Sequence, residues 1–363
     1  MIGAKGIGGK KKKLFWQTRF GVVLVEEQTY QRKLSGKQER PFQAASGVSC
    51  RGLSLGLERV LTDFGADSSF AKAAEKVREH YGFEVSVSAV RSATEKHGSS
   101  MQWEMEEEVR MPVQGVRRLL TEIDGAFVPI VEVGEGEGDK RKTRSYKYLE
   151  ARLSIAGQVG SVARRFRASL GGVDEAGQQW KACVVEAGGG KNTELHCLGD
   201  GAQWIVRQAV KQFGEKAKFL VDFYHLSDYL GAASEKIGGV EGKSWFRQAQ
   251  LKMKKNEWQE VLGEIGKYVE GEGIADQDAP VRNCERYISN RREYLDYQGA
   301  IEKGLPIGSG EIESGNKSVV QSRLKITGAW WREENAKKML ALRVNRANGD
   351  WNSYWKQQRQ ANA

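Results

Sequence analysis

The order of hydrophobic patterns between residues 118 and 225 constrains this chain more than any other feature. Arg118–Ile123 and Phe127–Val133 are apolar runs either side of Asp124-Gly125, a strong turn dipeptide, and read as a hairpin. Tyr146–Ile155 alternates, Arg165–Leu170 is a further short strand, and residues 134–144 between them read as a polar, glycine-rich loop. Val173–Ala187 then has helical spacing through Trp180 and Val184, and Gly188-Gly189-Gly190 stops it. A strand at Leu195–Leu198, a helix at Trp204–Phe213, a strand at Phe219–Asp222 and a helix from Tyr224 follow. Several strands before the first helix, then alternation, specify a mixed α/β layer and exclude a doubly wound parallel sheet. Residues 226–303 change character. Leu226, Tyr229, Leu230, Ala233 and Ile237 share one helix face, as do Trp258, Val261, Leu262, Ile265 and Val269, and again Val281, Cys284, Ile288 and Leu295. A helical subdomain is therefore inserted here, and residues 309–346 return to one or two long helices.

The flanks are less regular. Residues 1–60 read as a basic, β-rich segment in which Phe15–Val25 and Gln28–Leu34 pair as a hairpin. Residues 68–97 read as two helices around Gly82, the second capped near Ser86 and ending at His97-Gly98. Such a pair suits a helix-turn-helix presenting Ser88, Arg91, Ser92 and Lys96; a helical hairpin in a connector fits the same pattern. A helix over Ser99–Val109 carries Glu104, Glu106, Glu107 and Glu108, a solvated face.

Charge and cysteine content narrow the class. Lys and Arg number 57 against 47 Asp and Glu, a formal charge of +10, which favours a polyanionic partner. Residues 1–60 hold 12 basic against 4 acidic residues, and residues 316–346 hold 8 against 2, so the excess sits at the two ends. Cys50, Cys183, Cys197 and Cys284 form no CxxC pair, against a disulfide framework or zinc ribbon. No apolar run reaches the ~18 residues of a membrane span, and Met1–Lys13 has no apolar signal-peptide region. The expectation is a soluble cytoplasmic protein.

Asp124 and Asp200 each end a predicted strand and precede glycine. Carboxylates projecting beyond a sheet suit a hard cation such as Mg²⁺; Asp-Gly is equally a good turn. In Gly308-Ser309-Gly310-Glu311-Ile312-Glu313-Ser314, Ser309 can cap the following helix, Glu311 favours its first turn, and Glu313 shares a face with Lys317 and Val320. Trp258 fits its apolar stripe as core, whereas Trp245, between Lys243, Ser244 and Arg247, is the better base-stacking candidate. Trp330 and Trp331 cannot both face one side of a helix, so one is free to meet DNA or a partner chain. Lys317, Arg323, Lys325 and Arg332 are candidate phosphate contacts.

Asp124-Gly125, Gly199-Asp200-Gly201-Ala202-Gln203-Trp204-Ile205, Asp222-Phe223-Tyr224-His225 and Ile307-Gly308-Ser309-Gly310-Glu311-Ile312-Glu313-Ser314 occur in an order that resembles bacterial insertion-sequence DDE transposases of the ISKra type, with Mutator-like relatives. Arg323-Leu324-Lys325, Gly328, Trp330-Trp331 and Asn348-Gly349-Asp350-Trp351 look like that family's C-terminal end, and the resemblance covers roughly residues 60–355. It implies an RNase H-like mixed sheet core with a helical insertion, preceded by a helix-turn-helix-like region. The Asp-Asp-Glu triad maps to Asp124, Asp200 and Glu313, the last preferred over Glu311 because it precedes Ser314 in the motif. His225, in the Asp222-x-x-His225 signature, either orients the scissile strand or a carboxylate, or holds the insertion in place. The chain departs from the family in lacking a Cys-rich N-terminus.

The implied chemistry uses two Mg²⁺ ions, for which Mn²⁺ can substitute, to cleave element ends and join the freed 3′-hydroxyl to target DNA. The implied partners are double-stranded DNA and a homodimer or higher homo-oligomer, with no membrane, at the bacterial nucleoid. The corresponding division is 1–60 basic segment, 61–110 DNA-binding region, 111–225 first part of the core, 226–304 insertion, 305–348 C-terminal core helices with Glu313, and 349–363 tail. An RNase H-like nuclease without strand transfer and a domesticated DNA-binding protein are the alternatives.

Overall fold

The computed structural model describes residues 7–31, 38–46, 52–105, 109–134, 139 and 142–361. Cys50, residues 32–34 of the expected hairpin, Glu106, Glu107, Glu108 and part of the 134–144 loop lie outside the described residues. In chain order the elements are β1 (Ile7–Thr18), β2 (Gly21–Gln31), β3 (Gln38–Glu39), α1 (Pro41–Ala45), α2 (Leu55–Asp67), α3 (Phe70–Tyr81) and α4 (Val87–Met105). Next come β4 (Arg118–Val133), β5 (Arg144–Gln158), β6 (Arg165–Ser169), α5 (Val173–Glu186), β7 (Glu194–Gly199), α6 (Gln203–Phe213) and β8 (Ala217–Val221). The helices α7 (Phe223–Ile237), α8 (Gly239–Lys254), α9 (Trp258–Ile265), α10 (Pro280–Ser289) and α11 (Tyr297–Glu302) follow. Last are α12 (Gly310–Gly315), a π-helical turn (Asn316–Gln321), α13 (Ser322–Leu324), α14 (Glu333–Ala347) and α15 (Trp351–Ala361).

The chain divides into two units, one of residues 1–107, 128–148 and 319–363, the other of residues 108–127 and 149–318. This division differs from the linear one, because residues 319–363 pack with the N-terminal unit. The split also sorts charge: the first unit holds 31 Lys/Arg against 20 Asp/Glu, the second 26 against 27.

In the first unit β1 and β2 form an antiparallel hairpin with Thr18 opposite Gly21. The turn is at Arg19-Phe20, inside the stretch that the pattern reads as one strand. Helix α2, not anticipated, packs with α3 and α4 around Leu57, Leu61, Ala73, Val77, Val90 and Ala93. Ser54 and Ser69 cap α2 and α3 by accepting from the Leu57 and Lys72 amides, and left-handed Gly82 (φ 73°) ends α3. Helix α4 runs on through Gly98, where a break is expected. A Cβ there would lie 2.8 Å from the Lys338 carbonyl oxygen, so this glycine serves close approach of α14. The 326–332 segment is not helical: residues 326–329 make a turn closed by the Ala329 amide on the Ile326 carbonyl, and Trp331 then bridges Ile130, Val131 donating to the Trp331 carbonyl and Trp331 to that of Pro129.

The second unit contains β6, β7, β8 and the stretches 118–127 of β4 and 149–158 of β5, strands of a five-stranded mixed sheet of order β6-β5-β4-β7-β8. Strand β5 is antiparallel to β6, and β4, β7 and β8 are mutually parallel. Strand alternation sorts its residues into two cores. Leu119, Ile123, Leu195 and Cys197 face Trp180, Cys183, Ile205 and Phe213 of α5 and α6. Leu120, Leu198 and Leu220 face Leu226, Leu230, Val261, Ile265, Val281 and Ile288 of the α7–α11 subdomain, which is the expected helical block. One expectation fails: β4 does not turn at Asp124-Gly125 but continues to Val133. A Cβ on Gly125 would come within 2.1 Å of Glu150 Oε1, so this glycine gives cross-strand clearance.

Candidate active site

Parallel register brings three carboxylates to one edge. Glu122 pairs with Leu198, and Leu198 with Leu220. Two residues further along each strand stand Asp124, Asp200 and Asp222. Asp124 thus lies mid-strand in β4, level with Asp200 and Asp222, which stand just past the ends of β7 and β8. Asp124, in β4, is mostly buried and accepts from Asn316 Nδ2 at 2.9 Å. Burial raises its pKa first, opposed by the Gly125 amide, and the charge of Asp200 raises it further. The two carboxylates therefore feel one another.

The Asp200 loop is held from the helical block. Asp200 Oδ1 accepts from the Ala202 amide at 2.8 Å, and Tyr287 Oη donates to its carbonyl at 2.7 Å. Arg291 donates to the Gly201 carbonyl at 2.9 Å and lies over the Tyr287 ring. Gly201 is left-handed (φ 76°), and a side chain there would meet Arg291.

Asp222 is a clamp. It caps α7 by accepting from the Tyr224 and His225 amides at 2.6 and 3.2 Å. Its other oxygen takes the Ser309 amide at 2.8 Å and the Ser309 hydroxyl. The Asp-x-x-His signature is thus, locally, a helix cap tied to the Gly308-Ser309-Gly310 loop. The His225 ring sits edge-on against Tyr229 and Tyr287.

Glu313 is exposed on α12, 2.7 Å from Lys317 Nζ. Glu311 is paired with Arg164. Among the described residues, no three His, Cys, Asp or Glu side chains are grouped closely enough to hold a metal ion. The pair Asp124 and Asp200 is assembled; Glu313 is one helical turn from Asn316, which touches Asp124. The donors are all hard oxygens, of the type Mg²⁺ takes, but Glu313 is held by Lys317 and is not grouped with the two aspartates.

Two polar residues were missed. Glu122 is fully buried and accepts from the Ile312 amide of α12 at 2.7 Å, while its Oε1 has no partner. Burial pushes its pKa up to about 8. Asn316, 2% exposed, opens the π-helical turn with Oδ1 unpartnered; such turns favour functional positions. The alternation Leu120, Glu122, Asp124 carried a signal for Glu122, which shares the Asp124 face.

The remaining candidates scatter. Arg91 is exposed beside Glu95. Lys96 lies 2.9 Å from buried Glu58, which also meets His97 at 3.0 Å, so its ammonium serves the first unit's interior. Arg323 requires correction as a phosphate contact: it is 2% exposed, donates to the Gly65 carbonyl and lies against the Phe70 and Trp331 rings. Lys325 and Arg332 are exposed. Trp245 packs on the α7–α11 core and donates to Glu264 at 3.1 Å; Trp258 packs on it too. Cys183, Cys197 and Cys284 are buried thiols, with burial raising each pKa.

A family model described as "Uncharacterised protein family (UPF0236)" matches residues 10–360. The chain belongs to UPF0236. Curated UPF0236 proteins of Caldanaerobacter subterraneus subsp. tengcongensis are similar to it. One is 27% identical over 44% of this chain and 32% of its own length. Two others are 28% identical over 44% of this chain and 32% or 30% of theirs. The match thus spans about a third of these relatives. Their names join eleven, four and two locus designations. No helix among the described residues of this UPF0236 chain is long and apolar enough to cross a membrane.

Proposed function

We propose that this UPF0236 protein is a DDE transposase of the ISKra-like kind: it cuts insertion-sequence ends and joins the 3′-hydroxyl to target DNA, using Mg²⁺ or Mn²⁺. The observation that carries this reading is the register alignment of Asp124, within β4, with Asp200, at the exit of the neighbouring parallel strand β7, close enough for one charge to raise the other's pKa. Unopposed, two such carboxylates repel; a divalent cation removes that cost. The strand order and the helical block before α12 support an RNase H-like core. The first unit's basic excess supports DNA as partner. Relatives named for several loci of one genome support a gene that multiplies by moving.

In this reading Asp124 and Asp200 are the fixed ligands and Glu313 the third. Asn316 orients Asp124 by donating to Oδ2. Tyr287 and Arg291 fix the Asp200 loop. Asp222, through Ser309, and Glu122, through the Ile312 amide, seat the segment bearing Glu313. His225 positions the Tyr229–Tyr287 side of the site. The metal, when bound, supplies Lewis acidity at the phosphodiester and activates water or a 3′-hydroxyl. Joining follows by in-line displacement: the 3′-oxygen forms a bond to phosphorus as the target's 3′-oxygen leaves. Paired ends require a homodimer or larger assembly, working in the cytoplasm at the nucleoid.

The test combines purified protein, end-containing duplex, target plasmid and Mg²⁺. Joined products that disappear in Asp200→Asn are expected. Cleavage without joining would instead indicate a nuclease, and a mobility shift without cleavage a DNA-binding protein.

A further inference from the structure

We propose that a cleft within the first unit accepts an unpaired base of single-stranded DNA. The cleft has a volume of about 690 Å³ and is lined by Tyr146, Arg144, Trp330 and Arg332, with the Arg91–Glu95 ion pair also on its wall. That volume lies in the ordinary range for ligand sites. Its construction follows from the short non-helical stretch 330–332 after the 326–329 turn, bridged to Ile130 at Trp331, where successive side chains point to opposite sides. Trp331 turns inward, 7% exposed, its indole donating to the Leu324 carbonyl at 3.0 Å. Trp330 therefore turns outward, 42% exposed. It meets the edge of Tyr146 with centroids 4.6 Å apart, and Tyr148 at 5.8 Å. Both tyrosines are more than half exposed.

Three large rings left together in water carry a hydration cost that an occupant with an apolar face would remove. Arg144 and Arg332 beside them are exposed, and their guanidinium groups have no ion-pair or hydrogen-bond partner among the described residues. Aromatic platforms flanked by guanidinium groups match a nucleotide, whose base stacks while its phosphate meets the cation. A paired base hides both faces in the duplex, so the occupant is an unpaired base. Choosing DNA over RNA rests on the transposase reading; the cleft itself does not.

The experiment measures fluorescence anisotropy of the full chain with labelled oligothymidylate of about 12 nucleotides, oligouridylate of equal length and a blunt duplex. Trp330→Ala is expected to weaken oligothymidylate binding roughly 5- to 150-fold, the range for loss of one stacked base, and to leave duplex binding unchanged. Trp330→Phe is expected to restore most of the affinity, which also establishes that the fold tolerates change there. Arg144→Gln with Arg332→Gln is expected to flatten the salt dependence. Equal binding by Trp330→Ala and the unaltered protein, equal loss on duplex and single strand, or tighter binding of oligouridylate each overturns the proposal. Because these are binding readouts, a protein inactive in strand joining can still sustain the cleft. A joining-competent protein indifferent to Trp330 sinks the cleft alone.

Discussion

Glu122 offers the sharpest test of how the acidic edge is built. Its carboxyl is fully buried, and burial, the largest cause, raises its pKa from an ordinary 4.5 to about 8 despite the Ile312 amide. The unfolded chain releases this proton near pH 4.5, whereas the folded chain keeps it to about pH 8. Between these values the folded state binds more protons, so stability falls as pH rises. Each pH unit costs about 1.4 kcal/mol, and the full interval is on the order of 5 kcal/mol, a ceiling that local relaxation lowers. Glu122→Gln keeps the acceptor for Ile312 and removes the titration. The assay is urea unfolding with EDTA at pH 5, 6, 7 and 8 for both proteins. Buried His97 and His196, whose pKa values burial lowers, push the other way, gaining stability as pH rises toward 6.5, but equally in both proteins. The difference between the two curves therefore isolates Glu122: Gln should become the more stable variant by several kcal/mol at pH 8. Parallel curves would refute the buried, proton-retaining carboxyl.

Two further perturbations address the joints of the fold. Gly98→Ala should cost about 1–3 kcal/mol by overpacking, because the new Cβ meets the Lys338 backbone at 2.8 Å; a gain of about 1 kcal/mol, the free-helix value, would show that α14 yields there. Asp222→Ala should cost about 2–4 kcal/mol from a lost cap and lost charged hydrogen bonds. It should also speed amide exchange at Tyr224, His225 and Ser309; acceleration confined to the first two would mean that the Ser309 clamp contributes nothing.

How much of this was legible depended on the range of the cause. The α5–β7–α6–β8 run and the α7–α11 block appear where local periodicity places them, since each buries one face. Gly98 and Gly125 misled for a shared reason: a glycine reads as a break when its neighbours in sequence are all that is visible. Both are instead clearances for distant partners, Lys338 and Glu150. Arg323 misled similarly, since no local signal reveals that a cation will be enclosed by Phe70, Trp331 and the Gly65 carbonyl. Asp124 and Asp200 were legible as a pair because each precedes glycine after an apolar run. Their alignment with Asp222 depends on strand register, which only pairing fixes.

The position of Glu313 raises the last question, whether recruiting it is costly. Its contact with Lys317 is an i, i+4 pair with both side chains about two-thirds exposed. Surface pairs of this kind contribute about 0–1 kcal/mol, so releasing Glu313 to the cation proposed at Asp124 and Asp200 would cost a factor of no more than about five in affinity. Lys317→Ala should therefore raise apparent Mg²⁺ affinity up to about fivefold at low salt, read from the metal dependence of thermal unfolding. The gain should fade at high ionic strength, which screens the pair in the unaltered protein. In a Glu313→Gln background the same substitution should do nothing, because the competition between lysine and cation for one carboxylate is gone. A Lys317→Ala effect that persists in that background would mean that Lys317 acts on the site's overall field, and Glu313 would lose its place as the third ligand.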